Sequence, residues 1–309
     1  MPDQALAGGF SFPVIGSRGT TTGGFSARAD DTSAMYHNPA GLGMLEDYMV
    51  DISGTGVLSH TNYTRCSAVT FDAKGNPIGC KLGADGKELM EPTVSTVPYG
   101  GYPKGFGILP YIGLTGRFGL KKWNFGIAFY SPHNATGSFQ DCERAEDGEP
   151  TDCDNAPSRF HAVLGTVNTI FITPTVALTP IPDLHIGVSV SAVRAALTSE
   201  RALWLGGPSA PAASLLGWGG EGRIRLDTSA WTWAFQIGVI WHAGKTLAPG
   251  NPWLRGLRLG ASYSSQAEIS FKSDLKLFSP GLHNLVQEND GCRKGDASKH
   301  EVLCATTVD

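Results

Sequence analysis

Two stretches of this 309-residue chain alternate between bulky apolar and mostly small or polar side chains, and that alternation limits the possible folds more than any other feature. In Trp231-Thr-Trp-Ala-Phe-Gln-Ile-Gly-Val-Ile-Trp241, one face carries Trp231, Trp233, Phe235, Ile237, Val239 and Trp241. The other face carries Thr232, Gln236 and Gly238. In Leu184–Ala192, Leu184, Ile186, Val188 and Val190 oppose His185, Gly187, Ser189 and Ser191. A period of two is the signature of a β-strand, whose side chains point alternately to its two faces. A soluble antiparallel sandwich alternates as well, with its polar face in water. Here the polar face is small and nearly uncharged, and the bulky face ends in aromatics. That combination fits a membrane strand with lipid and an aromatic girdle on one side and a lumen on the other.

Further alternating runs cover about 48–63, 108–120, 123–130, 161–179 and 257–277, giving seven candidate strands. In the third, Trp123, Phe125, Ile127 and Phe129 share a face. Pro174 and Pro180 are expected at bulges or strand ends. The connections sort by length. Long ones lie at about 64–107, 131–160, 198–222 and from 279 onward; short ones lie at 121–122, 180–183 and about 243–254. Outer-membrane barrels have long extracellular loops and short periplasmic turns. Cysteine usage fits the same division. Cys66 and Cys80 fall in the first long connection, Cys142 and Cys153 in the second, and Cys292 and Cys304 in the last. Local disulfides on one oxidising side are the simplest reading. Each would close a loop of roughly 11–15 residues, worth about 3 kcal/mol in the chain-entropy model. A zinc site is the alternative, but no C-x-x-C pair is present.

Composition narrows the class. Charged residues make up 17% of the chain, below the roughly 25% of soluble domains, and there are 40 glycines. Mean hydropathy is -0.08, and no run of about 18 apolar residues exists, so helical membrane spans are excluded. A net charge of -4 gives no basic footprint for nucleic acid. Met1-Pro2-Asp3-Gln4 has no signal-peptide character, whereas Ala5-Leu6-Ala7 resembles the end of a cleavage site. The expectation is a mature chain behind an added methionine, or an excerpt from a longer precursor.

No catalytic signature emerges. Gly16-Ser17-Arg18-Gly19 is not a nucleophile elbow and follows no strand. Gly100-Gly101 and Gly219-Gly220 lack the Lys and helix of a phosphate loop. His161, His185 and His242 are candidates for the lumenal face, without metal-ligand spacing. Asp30 and Asp31 suit the start of a short helix, since helix N-termini favour Asp. No enzyme activity, cofactor or metal is expected.

The segment Ser26-Ala-Arg-Ala-Asp-Asp-Thr-Ser-Ala-Met-Tyr-His-Asn-Pro-Ala-Gly-Leu42 is small, polar and turn-prone. Asn38, Pro39, Ala40 and Gly41 form a strong turn signal. With Ala7-Gly8-Gly9-Phe10 and Gly16-Ser17-Arg18-Gly19 upstream, it resembles the N-terminal plug, or hatch, of the FadL/TodX family of outer-membrane transporters. Gly107–Leu114, Phe171–Ala177 and Leu257–Tyr263 resemble strand segments of that family. The resemblance implies an all-β antiparallel transmembrane barrel. Residues 5–45 form the hatch, and residues 46–309 supply about seven of fourteen strands. The chain ends at Cys304-Ala-Thr-Thr-Val-Asp309 without a terminal aromatic, so it is read as the N-terminal part of a longer protein or a truncated form.

The function implied is passive, hatch-gated uptake of long-chain fatty acids or similar hydrophobic molecules by a monomeric barrel in the bacterial outer membrane. Lipid and lipopolysaccharide are its surroundings. Apolar residues of the third long loop, Leu203, Trp204, Leu205, Leu215, Leu216 and Trp218, are candidates for ligand capture, as is 277–286. Tyr111 and Phe171 fall on inward faces, as does Arg117. Phe10 matches the Phe of the family's Ala-Gly-Phe start, with one extra Gly here. Arg159 either meets a ligand carboxylate or sits at the rim against lipopolysaccharide. The family's third strand is kinked; Pro132 and Asn134 are the residues that would interrupt it here, although no clear break is visible. A surface barrel acting as adhesin or receptor is the second reading, and a soluble secreted β-protein the third.

Overall fold

The computed structural model describes residues 15–16, 19, 26–46, 48–58, 62–64, 66, 69–71, 77–90, 94–95, 106–138, 158, 160–204, 221–247, 250–278, 292–295 and 301–308. After a 3-10 turn at Ser26–Arg28 come the short helix α1 (Ala34–His37) and a 3-10 helix at Pro39–Met44. The strands are β1 (Met49–Leu58), β2 (Asn62–Tyr63), β3 (Val69–Phe71), β4 (Pro77–Cys80), β5 (Val94–Ser95), β6 (Phe106–Gly116), β7 (Trp123–Tyr130), β8 (Asn134–Ser138), β9 (Leu164–Ile181), β10 (Leu184–Trp204) and β11 (Glu221–Trp241). Helix α2 (Ala243–Leu247) precedes β12 (Leu259–Ser264), β13 (Phe271–Phe278), β14 (Cys292–Lys294) and β15 (Glu301–Val308). No described helix is long and apolar enough to cross a membrane.

The strands form one antiparallel sheet in the order β1-β6-β7-β9-β10-β11-β13-β15-β14, with β8 continuing beside β9 and β12 beside β11. The sheet is open, with β1 and β14 at its edges. Ribbons β2–β5 and β3–β4 stand apart from it. The alternation seen in sequence decides which face points outward. Trp231, Trp233, Phe235, Ile237 and Val239 are exposed, as are Ile186, Val188 and Val190 across the β10–β11 register. On the other face Ser189, Ser191, Thr173 and Thr175 are buried. Their hydroxyls pair across β9 and β10, Thr173 with Ser191 and Thr175 with Ser189, each at 2.8 Å. Small hydroxyl pairs satisfy one another on a face that larger side chains would overfill.

Several strands differ in extent from the sequence expectation. The second stops at Gly116 rather than 120, because Phe118 (φ 48) and Gly119 (φ 82) both take the left-handed turn conformation. The first ends at Leu58, while Asn62 and Tyr63 pair with β5 instead. Strand β10 runs on to Trp204 and β11 begins at Glu221, so the expected 198–222 loop is shorter. Leu203 and Trp204 are therefore strand residues, paired with Gly222 and Glu221. The extension is polar, but Glu200 lies 3.6 Å from both Arg223 and Arg225 across the hairpin. Cross-strand ion pairs of this kind hold a ladder where alternation fades. The seventh strand is split into β12 and β13, and residues after 279 include β14 and β15, with β15 added beside β13.

The third strand is interrupted. Tyr130 pairs with Phe171, but Asn134 pairs with Asn168, so three residues oppose two and the register shifts by one. Pro132 has no N–H to donate at that point, and Asn134 Nδ2 donates to the Ile108 carbonyl of β6 at 3.1 Å. Disulfides link Cys66 to Cys80 and Cys292 to Cys304. Cys142 and Cys153 lie outside the described residues.

Candidate functional site

The polar N-terminal segment is packed on the small-residue face of the sheet. Its short elements follow from local side-chain bonds. Asp31 Oδ1 accepts from the Ser33 N–H (3.0 Å) and hydroxyl (2.6 Å), immediately before α1. Ser33 is the N-cap residue and makes no side-chain cap bond of its own. Asp30 lies 3.9 Å from Arg28. Asn38 ends α1 with extended backbone (φ -159, ψ 106) and starts the next helix, its Oδ1 accepting from Ala40 N at 3.1 Å. Pro39 follows at the first helical position, where its fixed φ is already helical.

Such a segment has backbone carbonyls with no sheet partner, and wall side chains supply the donors. Tyr111 donates to the Thr32 carbonyl. Arg117 donates to Leu45 (2.7 Å) and Gly43 (3.2 Å), and Asn124 to Leu42 (2.8 Å) and Leu45 (3.1 Å). Thr179 donates to Gly43 (3.2 Å), Gln236 to Tyr36 (3.1 Å) and Ser262 to His37 (3.1 Å). In return Asn38 Nδ2 lies 3.3 Å from the carbonyls of Val239 and Ala261, on neighbouring strands. Net values near 1 kcal/mol per bond make this worth several kcal/mol, and the Gly43 and Leu45 carbonyls each accept from two wall side chains.

The wall leaves room for this backbone by omitting side chains. A methyl at Gly187 would overlap the backbone of Pro39 and Ala40, and one at Gly238 would overlap the Asn38 carboxamide. These two glycines are paired across β10 and β11.

Above the segment is an aromatic group. Tyr130 and Phe171 stack at 5.2 Å with 13° between planes, and Tyr36 meets Tyr130 edge-on at 5.3 Å. Tyr111 stacks on the other side of Tyr130 at 6.2 Å, and His133 lies 6.3 Å from Phe171. Met35, Leu42 and Ile15 complete the apolar cluster. The structure thus brings the expected Tyr111 and Phe171 together through Tyr130. Sequence reading missed Tyr130 and Tyr36. Tyr130 shares its face with Asn124, Gly126 and Ala128, so it is the one bulky residue on the small side of its strand.

Other expected residues are not brought to this group. His185 Nδ1 lies 2.9 Å from Thr179 Oγ1, and its ring is 5.3 Å from that of His242 at the short-turn end. His161 is instead near Tyr63, at 5.4 Å. Leu203 lies on β10, far along the strand. Phe10, Arg159, Leu205, Leu215, Leu216 and Trp218 lie outside the described residues. Among those described, no group of His, Cys, Asp and Glu could hold a metal ion.

His37 Nε2–H donates to the Ile15 carbonyl at 3.0 Å. Burial holds this imidazole below the ordinary histidine value, against the opposing effects of that bond and of Asp31. A depressed value means the docked form is stable above the ordinary value, near 6.5, and loses stability as pH falls through it. Protection of residues 33–45 against hydrogen exchange, taken relative to the intrinsic amide rate at each pH, is therefore expected to fall between pH 7 and pH 5, and that fall to shrink in His37→Gln. Gly187→Val is expected to dislodge the segment, with overpacking costing about 1–3 kcal/mol. Gly165→Val, in open space, is the control. Faster proteolysis of residues 26–46 in the first variant alone is the expected readout.

A family model described as outer membrane protein transport protein (OMPP1/FadL/TodX) matches residues 1–300. Among solved structures, a FadL homologue of Pseudomonas aeruginosa is similar, with a TM-score of 0.57 and 18% identity, over 88% of this chain and 56% of that one. The toluene transporter TbuX of Ralstonia pickettii is similar with a TM-score of 0.50 and 15% identity, over 89% and 58%. The chain thus spans less than two thirds of the length of either. At these identities the two structures speak for the fold. No curated protein matches. The open sheet is therefore part of a FadL-type β-barrel architecture, and the chain belongs to the OMPP1/FadL/TodX family of bacterial outer-membrane transport proteins.

Proposed function

We propose that this chain is the plug-bearing part of a channel for passive uptake of long-chain fatty acids or similar hydrophobic molecules. Residues 5–45 act as the plug and the strands after 46 as the barrel wall. The observation that carries this reading is the aromatic group formed by Tyr36, Tyr111, Tyr130 and Phe171 directly over the bonded N-terminal segment. An apolar ring cluster seated on a polar stopper suits a hydrophobic guest that must not take water and ions with it. Burial of an alkyl chain would supply about 0.8 kcal/mol per CH₂.

Leu203 to Trp218, with 277–286, are the proposed capture surface, and Phe10 is proposed to meet the ligand further in. Arg159 is proposed to meet a carboxylate in a charge-assisted bond. The break after Tyr130 is the proposed lateral way out of the wall. The stacked rings also favour a second guest class, small aromatic hydrocarbons, since offset-stacked rings attract a further aromatic. The transporter TbuX, named for toluene, is consistent with that class.

Uptake of oleate and of toluene by cells carrying the full-length protein separates these readings. Phe171→Ala and Tyr130→Ala are expected to weaken binding of the true substrate about tenfold, and loss of residues 205–218 to slow its uptake. Unchanged uptake of both compounds in all three variants would contradict a transport role for these residues.

A further inference from the structure

Between the N-terminal segment and the connection after β11 lies a cavity of about 440 Å³. Its lining includes Arg28, Lys245, Arg255 and Arg258, against a single carboxylate, Asp30. Asp30 lies 3.9 Å from Arg28. Among the described residues, Lys245, Arg255 and Arg258 make no ion pair. The fold of the connection holds these cations together. Gly244 N donates to Leu257 O at 3.0 Å, Arg255 N to Asn251 O at 2.9 Å, and His242 N to Asp183 O at 2.8 Å. Gly244 packs so closely on Leu254 that a methyl there would overlap the Leu254 carbonyl. The cations therefore sit on an ordered loop.

His242 also lines this cavity and is only 8% exposed. Both of its ring nitrogens are buried without a hydrogen-bond partner among the described residues. Its other polar neighbours are His185, 5.3 Å away, and Asp183, which accepts the His242 backbone N–H. A buried polar group without a partner is uncommon and calls for a ligand or ion to complete it. Burial, with Arg258 and Lys245 nearby, holds His242 below the ordinary value against the opposing pull of Asp183, so at neutral pH the ring is uncharged and offers one N–H.

We propose that this cavity is a binding site for an oxyanion head group, a carboxylate or phosphate, held by Arg255, Arg258 and Lys245 with His242 as a neutral donor. Arginine presents a planar fork that matches the two oxygens of such a group. The cavity adjoins the short connections, the periplasmic end of the wall, so a transported acid would reach it after passing the N-terminal segment. Naming that acid as the transported substrate rests on the proposed uptake function. The anion site itself does not.

The test uses the full-length protein in detergent, with sodium decanoate, decanol and inorganic phosphate as probes for calorimetric titration. Arg255→Gln/Arg258→Gln removes two exposed cations and leaves the sheet untouched. Its dissociation constant for decanoate is expected to rise five- to tenfold at low salt, less at high salt, with that for decanol within twofold of the parent. Phosphate competition with decanoate marks a general oxyanion site; no competition marks one selective for carboxylate. Unchanged decanoate affinity in the double variant, with decanoate bound by the parent, overturns the site and leaves the uptake reading intact. If the parent binds neither decanoate nor decanol, the uptake reading fails. The site then stands if phosphate binds the parent but not the double variant, and falls if phosphate does not bind the parent.

Discussion

The structure depends on how the backbone of an irregular segment is satisfied where no strand can pair with it. Peptide carbonyls at membrane depth have no water to turn to, so non-strand backbone is tolerated there only where protein or a polar lumen meets it. Six side chains of the wall, Tyr111, Arg117, Asn124, Thr179, Gln236 and Ser262, meet it here. Five of them come from five different strands and Arg117 from the turn after β6, so the segment also ties several strands of the sheet together. The bonds are individually modest. Their strength lies in being shared between two parts, each of which would leave buried polar groups without the other.

The same constraint explains the composition of the inner face. A wall that must accept a folded segment cannot carry large side chains beneath it. Gly187, Gly238, Ser189, Ser191, Thr173 and Thr175 give depth, and their hydroxyls pair laterally. Where the segment ends, the inner face changes character and Tyr130 and Phe171 fill the space. The outer face needs only apolar bulk, which Trp231, Trp233 and Phe235 supply. One alternating pattern thus encodes the apolar outer face and the contact with the N-terminal segment together.

Much of this was legible in sequence. The period of two in β10 and β11 set the faces correctly, and the cysteine positions anticipated Cys66–Cys80 and Cys292–Cys304. The turn at Asn38-Pro39-Ala40 was recognised, but its partners were not, because bonds between Asn38 and Val239 or Ala261 join residues more than 200 positions apart. Strand ends were misplaced where local geometry or long-range charge pairing decides them, as at Phe118 and at Glu200 with Arg225. The bulge after Tyr130 escaped because it is a mismatch between two strands, visible only in their register. Tyr130 itself carried a readable signal, a single large ring on a face of Asn, Gly and Ala.

The central proposal is that wall donors hold the N-terminal segment as a closed stopper. Ion conductance of the full-length protein in a planar bilayer tests it most directly, comparing the parent with Arg117→Leu/Asn124→Leu/Gln236→Leu. Those substitutions remove donors to Gly43, Leu42, Leu45 and Tyr36 without adding charge. The expected result is a parent with little steady conductance and a variant with a persistent open level. Equal conductance in the two, with the variant folded, would contradict it.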